Sequence, residues 1–191
     1  YPELQQAFPL FEIQLSVSQT ETAADRLTAD LSFVLGKPSN PDYYSDPIIR
    51  EEIVLACSPS FIQRHGIKVG HLTPAMIRQL PLLHQGREDY GSIWFGDWFR
   101  AHGLEFELTP EVLFYHSYPL LLEAAAAGRG ICIAWPKLSG DYFATGQLIA
   151  LQGTEMDSRN GYFLVSRVKQ KSNDRISALH KAILEKAREI F

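Results

Sequence analysis

The sequence predicts an α/β fold in which strands and helices alternate along the whole chain. The stretch Leu120–Pro136, LLLEAAAAGRGICIAWP, is typical of a helix, a glycine turn, a short apolar strand and a proline stop. Continuous apolarity favours a strand that is covered on both faces, as in a parallel sheet. The same alternation recurs from Pro2 to Ile190, and neither a Gly/Ser linker nor an internal repeat interrupts it. Parallel layers with right-handed crossovers are therefore expected.

The predicted helices begin at capping hydroxyls or prolines and end at glycines. Ser58-Pro59 and Thr73-Pro74 each place a capping side chain before a proline at the first helical position. Gly128 and Gly130 are expected to end a helix because glycine accepts a positive φ. In chain order, the predicted helices are Pro2–Phe8, Thr20–Ala29, the segment after Ser58, Ala75–Gln79, Ser92–His102, Tyr118–Ala127 and Asn173–Ile190.

The predicted strands are short runs that are either apolar throughout or alternate between apolar and polar residues. If the chain has two domains, ordered strands must join them, and the best candidates are Ile48–Cys57 outward and Tyr162–Val165 back. In chain order, the strands are Phe11–Val17, Leu31–Leu35, Ile48–Cys57, Leu80–His84, Glu111–Tyr115, Ile131–Ala134, Leu148–Leu151 and Tyr162–Val165.

Composition limits the possible partners and the redox chemistry. The chain has 191 residues, enough for one large domain or two small ones, and a net charge of −4 gives no basic field for nucleic acid. Cys57 and Cys132 lie in apolar runs, which favours buried reduced thiols over a disulfide. No apolar run approaches the roughly 18–20 residues that span a bilayer, so no membrane partner is expected.

Catalytic motifs are missing from the sequence. It contains no Gly-x-Ser-x-Gly elbow, no Walker loop and no His-Glu-x-x-His, and Gly128-Arg-Gly130 is too short for a dinucleotide fingerprint. The six histidines show no metal-ligand spacing, and His84 and His116 could share a metal only through tertiary contact. The sequence therefore predicts neither an enzyme nor a cofactor or metal centre.

Ligand chemistry is expected where strands end and helices begin. A helix N-terminus presents free N–H groups and a partial positive charge, which attract anions, and ligands of α/β sheets bind beyond the carboxyl ends of strands. At any one junction, simple helix capping is the favoured interpretation; for the set, at least one ligand contact is expected. The four junctions are Ser18-Gln19-Thr20, Cys57-Ser58, His84-Gln85-Gly86 and Tyr115-His116-Ser117.

Aromatic residues form two groups with different interpretations. Trp94 and Trp98 are spaced as a pair on one helix face, which favours packing of a helix on a sheet. Tyr115, Tyr118 and Trp135 lie where strands end, so they could line a cleft and hold a cation, including a quaternary ammonium group.

An ordered set of motifs resembles the LysR-type transcriptional regulators. Trp94 and Trp98, with Leu83-His84 upstream, resemble the branch that contains the glycine-cleavage and β-lactamase regulators. The motifs cover nearly the whole chain and are, in order, Phe8-Pro9-x-x-Glu12-Ile13-x-Leu15, Leu27–Gly36, Ile53–Pro59, Leu80–Leu83, Glu123–Pro136 and Gly146-Gln147-Leu148.

The resemblance implies a type II periplasmic-binding-protein fold, in which two Rossmann-like subdomains are joined by two crossing strands. Residues 1–57 with 166–191 would form subdomain I, and residues 58–165 subdomain II. It also implies that the DNA-binding winged helix-turn-helix and one further strand precede this chain, and that the protein is cytoplasmic and forms a homodimer or tetramer.

The same resemblance places a small effector between the subdomains. The residues expected to bind it are Ser18, Thr20, Lys37, His84, Gln85, Tyr115, Ser117, Tyr118 and Trp135. The function expected is sensing of a small anionic or zwitterionic metabolite, which controls DNA binding by the domain outside this chain. The alternative is a solute-binding protein of a transport system with the same fold, and an enzyme on this fold is a third, disfavoured class.

Overall fold

The computed structural model describes residues 2–14, 29–68, 70–86, 93–107, 112–168 and 173–190. The predicted helix 20–29 lies almost entirely outside these residues, and residues 11–14 of the predicted strand 11–17 have irregular backbone. The helices are α1 (Pro2–Ala7), α2 (Pro59–Arg64), α3 (Pro74–Ile77), α4 (Phe95–Ala101), α5 (Tyr118–Ala126), α6 (Gly140–Ala144) and α7 (Asp174–Ile190). The strands are β1 (Leu31–Leu35), β2 (Tyr43–Cys57), β3 (Leu82–Gln85), β4 (Val112–Tyr115), β5 (Ile131–Ala134), β6 (Ile149–Ala150) and β7 (Met156–Arg167).

The chain divides into two compact units. Unit 1 comprises Tyr1–Ile49 and Tyr162–Phe191, and unit 2 comprises Arg50–Gly161. Both boundaries fall inside long strands, one in β2 and one in β7. The subdomain boundaries expected from the sequence, 57/58 and 165/166, fall 8 and 4 residues after the boundaries of these units. The assignment of the units as regulatory subdomains stays a prediction.

Unit 1 is built from an antiparallel strand pair and the long C-terminal helix. β1 runs antiparallel to the end of β7, with Leu31 opposite Ser166 and Leu35 opposite Tyr162. Val34 and Leu164 are buried on this pair. The helix α7 is amphipathic, and the residues of its apolar stripe are partly or fully buried, namely Ile176, Leu179, Ile183, Leu184 and Ala187.

Unit 2 has a mixed sheet in which β5 lies between β2 and β3. β3 pairs in parallel with both β4 and β5, whereas β2 pairs antiparallel with β5 and β6. The whole hydrogen-bonded order is β1-β7-β2-β5-β3-β4. The expectation of parallel layers throughout is therefore wrong. Parallel pairs form where a helix-containing crossover returns the chain, as α4 and α5 do, whereas β2 continues into unit 2 from unit 1 and runs antiparallel to β5.

The core of unit 2 forms where α5 packs on the sheet. Its buried members include Val54, Leu83 and Leu121, and both cysteines are fully buried and free. Burial raises the pKa of the Cys57 and Cys132 thiols to about 12. The prediction of buried reduced thiols is confirmed.

The two predicted helix caps are confirmed, whereas the predicted start of the helix at Ser92 is wrong. The Ser58 hydroxyl accepts a hydrogen bond from the Phe61 N–H at 3.2 Å, and the Thr73 hydroxyl caps α3 in the same way. Trp94, however, is the N-cap residue of α4 and precedes its first turn. Trp94 and Trp98 therefore do not share a helix face, because α4 begins three residues later than its sequence predicts.

Two glycines follow α5 for different physical reasons. Gly128 has φ +76°, the left-handed conformation that ends a helix, as predicted. Gly130 does not have a positive φ, so that part of the prediction is wrong. A Cβ at this position would lie 2.7 Å from the Pro81 carbonyl oxygen and 2.9 Å from the Leu83 side chain. Glycine is needed there because β5 and β3 approach closely.

Among the helices that the structure describes, none is both long and apolar enough to cross a bilayer.

Candidate functional site

A small cavity in unit 2 lies at the ends of β3 and β5 and the start of α5. Its volume is about 10 Å³, close to the lower limit for holding one water molecule. The residues that line it are Leu83, His84, Gln85, Ile93, Tyr118, Leu121, Ile133 and Trp135. Four side chains predicted to bind the effector, His84, Gln85, Tyr118 and Trp135, therefore meet at one place.

His84 is the buried polar group of this cavity. Its imidazole ring lies among aromatic rings. The ring centroid is 5.9 Å from that of Phe95, 5.9 Å from that of Phe114 and 6.3 Å from that of Trp94. Only 4 % of the residue is exposed, and its Nε2 atom has no hydrogen-bond partner. Burial lowers the pKa of His84 to about 4, against a weaker opposing effect of the Asp97 carboxylate. The imidazole is thus neutral at pH 7.

A short hydrogen-bond network positions Trp135 at the end of β5. The Tyr118 hydroxyl accepts a hydrogen bond from the Trp135 N–H at 2.8 Å and lies 3.0 Å from the Ser139 hydroxyl. The Ser139 hydroxyl in turn donates to the Trp135 carbonyl at 2.6 Å. Ser139 is buried, so these bonds are shielded from water. The cavity wall formed by Tyr118 and Trp135 is therefore preorganised.

The ends of β3 and β4 are joined beside this wall. The Gly86 N–H donates to the Tyr115 carbonyl at 2.8 Å, and the Tyr115 side chain packs partly buried against the core. Ser117 is the N-cap residue of α5 as predicted, but its hydroxyl makes no capping hydrogen bond to the helix. Tyr115 and Ser117 thus lie next to the cavity-lining Tyr118 in sequence without lining the cavity themselves.

Of the three remaining predicted contact residues, one belongs to unit 1 and two lie outside the described residues. Lys37 follows β1 in unit 1 and is exposed. Ser18 and Thr20 lie outside the described residues, so their proposed role stays a prediction.

Sequence reasoning missed the apolar wall and its supports. Leu83, Leu121 and Ile133 line the cavity, but in the sequence they are indistinguishable from other core residues. Ile93 is held by Glu51, a fully buried carboxylate that accepts the Ile93 N–H at 3.0 Å. The strand Ile48–Cys57 carries three consecutive charged residues at 50–52, so the sequence did not single out Glu51 as the buried one.

Unit 1 contains a second, larger cavity between its strands and α7. Its volume is about 200 Å³. The His180 Nε2 atom lies 2.8 Å from an Asp46 carboxylate oxygen, and the Tyr44 hydroxyl lies 3.3 Å from the other oxygen. The polar groups here are therefore paired with one another, unlike the Nε2 of His84. In the part of the chain that the structure describes, no three His, Cys, Asp or Glu side chains form a metal-binding group.

The family of the chain follows from comparison with known proteins. The family model for the LysR substrate binding domain matches residues 1–188. The chain belongs to this family. LysR substrate-binding domains have the type II periplasmic-binding-protein fold, and they belong to transcription regulators, which favours the effector-sensing domain over the transport-type alternative.

Similar proteins agree with this assignment. The chain is 31 % identical over 169 residues to the HTH-type transcriptional regulator TrpI of Pseudomonas aeruginosa, covering 87 % of the chain and 55 % of TrpI. It thus spans about half the length of this LysR-type relative. The fold matches the effector domain of AmpR from Pseudomonas aeruginosa with a TM-score of 0.74 and 22 % identity, over 98 % of this chain and 86 % of that one. It matches the regulatory domain of CrgA from Neisseria meningitidis with a TM-score of 0.76 and 15 % identity, over 97 % of this chain and 89 % of that one.

Proposed function

We propose that this LysR substrate-binding domain senses a small metabolite and that the cavity at His84 in unit 2 forms part of its binding site. The observation that carries the proposal is the convergence of His84, Gln85, Tyr118 and Trp135 on one cavity. They come from β3, from α5 and from the end of β5. Strand ends next to a helix start are where α/β sheets bind ligands.

The ligand that suits the surroundings of this cavity is a small anionic or zwitterionic metabolite. The nine-residue helix α5 begins beside it, and the Ser117 hydroxyl is not used for capping. Helix N-termini favour anions. The Trp135 and Tyr118 rings offer faces to an apolar or cationic part of the same molecule. Ser18, Thr20, Lys37 and Tyr115 remain proposed contacts.

The proposed role of the whole protein is transcription control. Ligand binding would regulate DNA binding by a helix-turn-helix domain outside this chain, in a cytoplasmic homodimer or tetramer. The net charge of −4 agrees with a domain that does not itself hold DNA. The relative TrpI, an HTH-type transcriptional regulator, is covered over 55 % of its length and supports this division of labour.

Thermal unfolding of the chain tests the proposed site. We expect a library of amino acids and small carboxylic acids to contain a compound that stabilises the chain by about 2.7 kcal/mol at a hundredfold excess over its Kd. For a chain of this size the midpoint would rise by about 5–10 °C. Gln85→Leu should weaken binding about 3- to 10-fold because it removes a hydrogen-bonding group of the lining, and Tyr118→Phe should do so because it removes the hydroxyl that holds the Trp135 N–H.

The control for this experiment is Tyr142→Phe. Tyr142 packs against the same core but does not line the cavity, so its loss should leave the ligand-induced rise unchanged. A ligand-induced rise that is the same in the wild type, Tyr118→Phe and Gln85→Leu would place the ligand elsewhere.

A further inference from the structure

The unpartnered nitrogen of His84 is an exception within the described part of the chain. Among buried side-chain nitrogen and oxygen atoms there, the His84 Nε2 is the one that lacks a hydrogen-bond partner. Buried polar groups are nearly always paired because an unpaired one is penalised by its lost hydration. Because His84 lines a cavity, this exception indicates a hydrogen-bond partner supplied from outside the chain.

The cavity at His84 is largely apolar, and no charged side chain among the described residues lines it. Three aromatic rings lie around the imidazole, and most of the other cavity-lining side chains are aliphatic. The Tyr118 hydroxyl is already engaged by the Trp135 N–H and the Ser139 hydroxyl. Gln85, the remaining polar residue of the lining, is exposed. The Nε2 atom is thus the interior polar contact that remains open to a ligand.

The charge state of His84 limits what this contact can hold. Burial keeps the imidazole neutral at pH 7, since its pKa is lowered to about 4. The Asp97 carboxylate favours protonation, but its effect is smaller than that of burial. A neutral imidazole donates or accepts one hydrogen bond at Nε2 without compensating a ligand charge. An ion that enters such an apolar space loses far more hydration free energy than a neutral group does.

We infer that the cavity at His84 takes an uncharged hydrogen-bonding group of the ligand, a hydroxyl or a carboxamide, and excludes an ionised one. The inference rests on the proposed function, because it names the part of the ligand that reaches this cavity. The volume of about 10 Å³ admits roughly one polar heavy atom of a ligand. Any carboxylate of a zwitterionic ligand would then lie outside the cavity, towards the start of α5.

Four probe compounds test the inference; each has one benzene ring, and they differ in the substituent that it carries. Benzyl alcohol and benzamide carry uncharged groups, whereas benzoate and benzylammonium are ionised at pH 7.5. Each is titrated into the chain labelled with 15N-histidine, and the His84 resonances give the Kd. We expect the two uncharged probes to bind at least about tenfold more tightly than either ion, because one neutral hydrogen bond forms and no ion is dehydrated.

Variants show whether His84 is the source of this preference. Binding to the variants is followed by tryptophan fluorescence. In His84→Phe the uncharged probes should no longer bind more tightly than the ions. His84→Gln keeps a donor and an acceptor, so it should retain part of the preference for the uncharged probes. His71→Phe, which alters an exposed histidine, should behave as the wild type. The wild-type titrations decide the matter even if a variant does not fold.

Two results would overturn the inference, and only one of them would also contradict the proposed binding site. If benzoate binds as tightly as benzyl alcohol and shifts the same His84 resonances, the cavity is a ligand site but does not exclude ions. If none of the four probes shifts the His84 resonances, the inference and the proposed site fail together.

Discussion

Trp98→Ala is expected to lower the free energy of unfolding by about 3–5 kcal/mol, the loss typical of a large aromatic side chain removed from a core. Trp98 is only 1 % exposed, and its indole N–H donates to the Thr154 carbonyl at 2.9 Å. The Thr154 hydroxyl accepts the Leu55 N–H and donates to the Leu151 carbonyl. The substitution therefore removes both a filled volume and a link between α4, β2 and the turn before β7.

Urea unfolding measures this loss, and two further variants separate its parts. Trp98→Phe keeps most of the ring and removes the N–H, so it should cost only about 1–3 kcal/mol. Leu120→Ala, on the exposed face of α5, should change stability by less than about 0.5 kcal/mol. A loss below about 1 kcal/mol for Trp98→Ala would contradict the packing of α4 described above.

Acid is expected to destabilise the protein through His84. Its pKa is about 4 in the folded chain and near 6.5 when unfolded, so the unfolded state binds more protons between these values. The free energy of unfolding should therefore fall as the pH drops through 6.5 and continue to fall to about pH 4. Over this interval the contribution of His84 amounts to about 3 kcal/mol. Above pH 6.5 His84 is neutral in both the folded and the unfolded state, so it no longer makes the free energy of unfolding depend on pH.

The variant His84→Gln isolates this contribution from other acid effects. The difference in unfolding free energy between the wild type and His84→Gln should shift by about 3 kcal/mol between pH 7.5 and pH 4. His71→Gln, at an exposed position, should give no comparable shift. All three tryptophans lie in unit 2, so fluorescence follows the unit that contains His84. Parallel pH profiles for the wild type and His84→Gln would show that the folded protein does not keep His84 neutral.

The sequence predicts best those elements whose signals are local. Ile131–Ala134 is apolar throughout and Leu31–Leu35 is apolar except for Ser32, and both are strands with the predicted bounds. β7 is much longer than the predicted Tyr162–Val165, because its first half, beginning Met156-Asp157-Ser158, has no apolar pattern. β7 is hydrogen-bonded to β2, which is distant in the sequence, and the ion pair of Arg50 with Asp157 at 2.9 Å joins these two strands. Such pairing is not encoded within a local window.

The candidate site was predictable in position but not in chemistry. The junction pattern identified His84 and Gln85, and the aromatic residues at strand ends gave Tyr118 and Trp135, because both signals are local features. The isolation of the His84 nitrogen depends on Trp94, Phe95 and Phe114, which lie 10 to 30 residues away. From the sequence alone, His84 was expected to contact an anion, whereas its buried neutral state favours an uncharged group. Burial by distant side chains was the missing information.

Histidine NMR with the most stabilising ligand tests the central claim, ligand sensing at the unit 2 cavity, most directly. The six histidines, at 65, 71, 84, 102, 116 and 180, are distributed over both units, and His84 and His180 each line a different cavity. We expect saturation with the ligand to give the largest change at the His84 Nε2 resonance, as that nitrogen gains its first hydrogen bond. A change at His180 with His84 unaffected would place the ligand in the cavity of unit 1 and contradict the account.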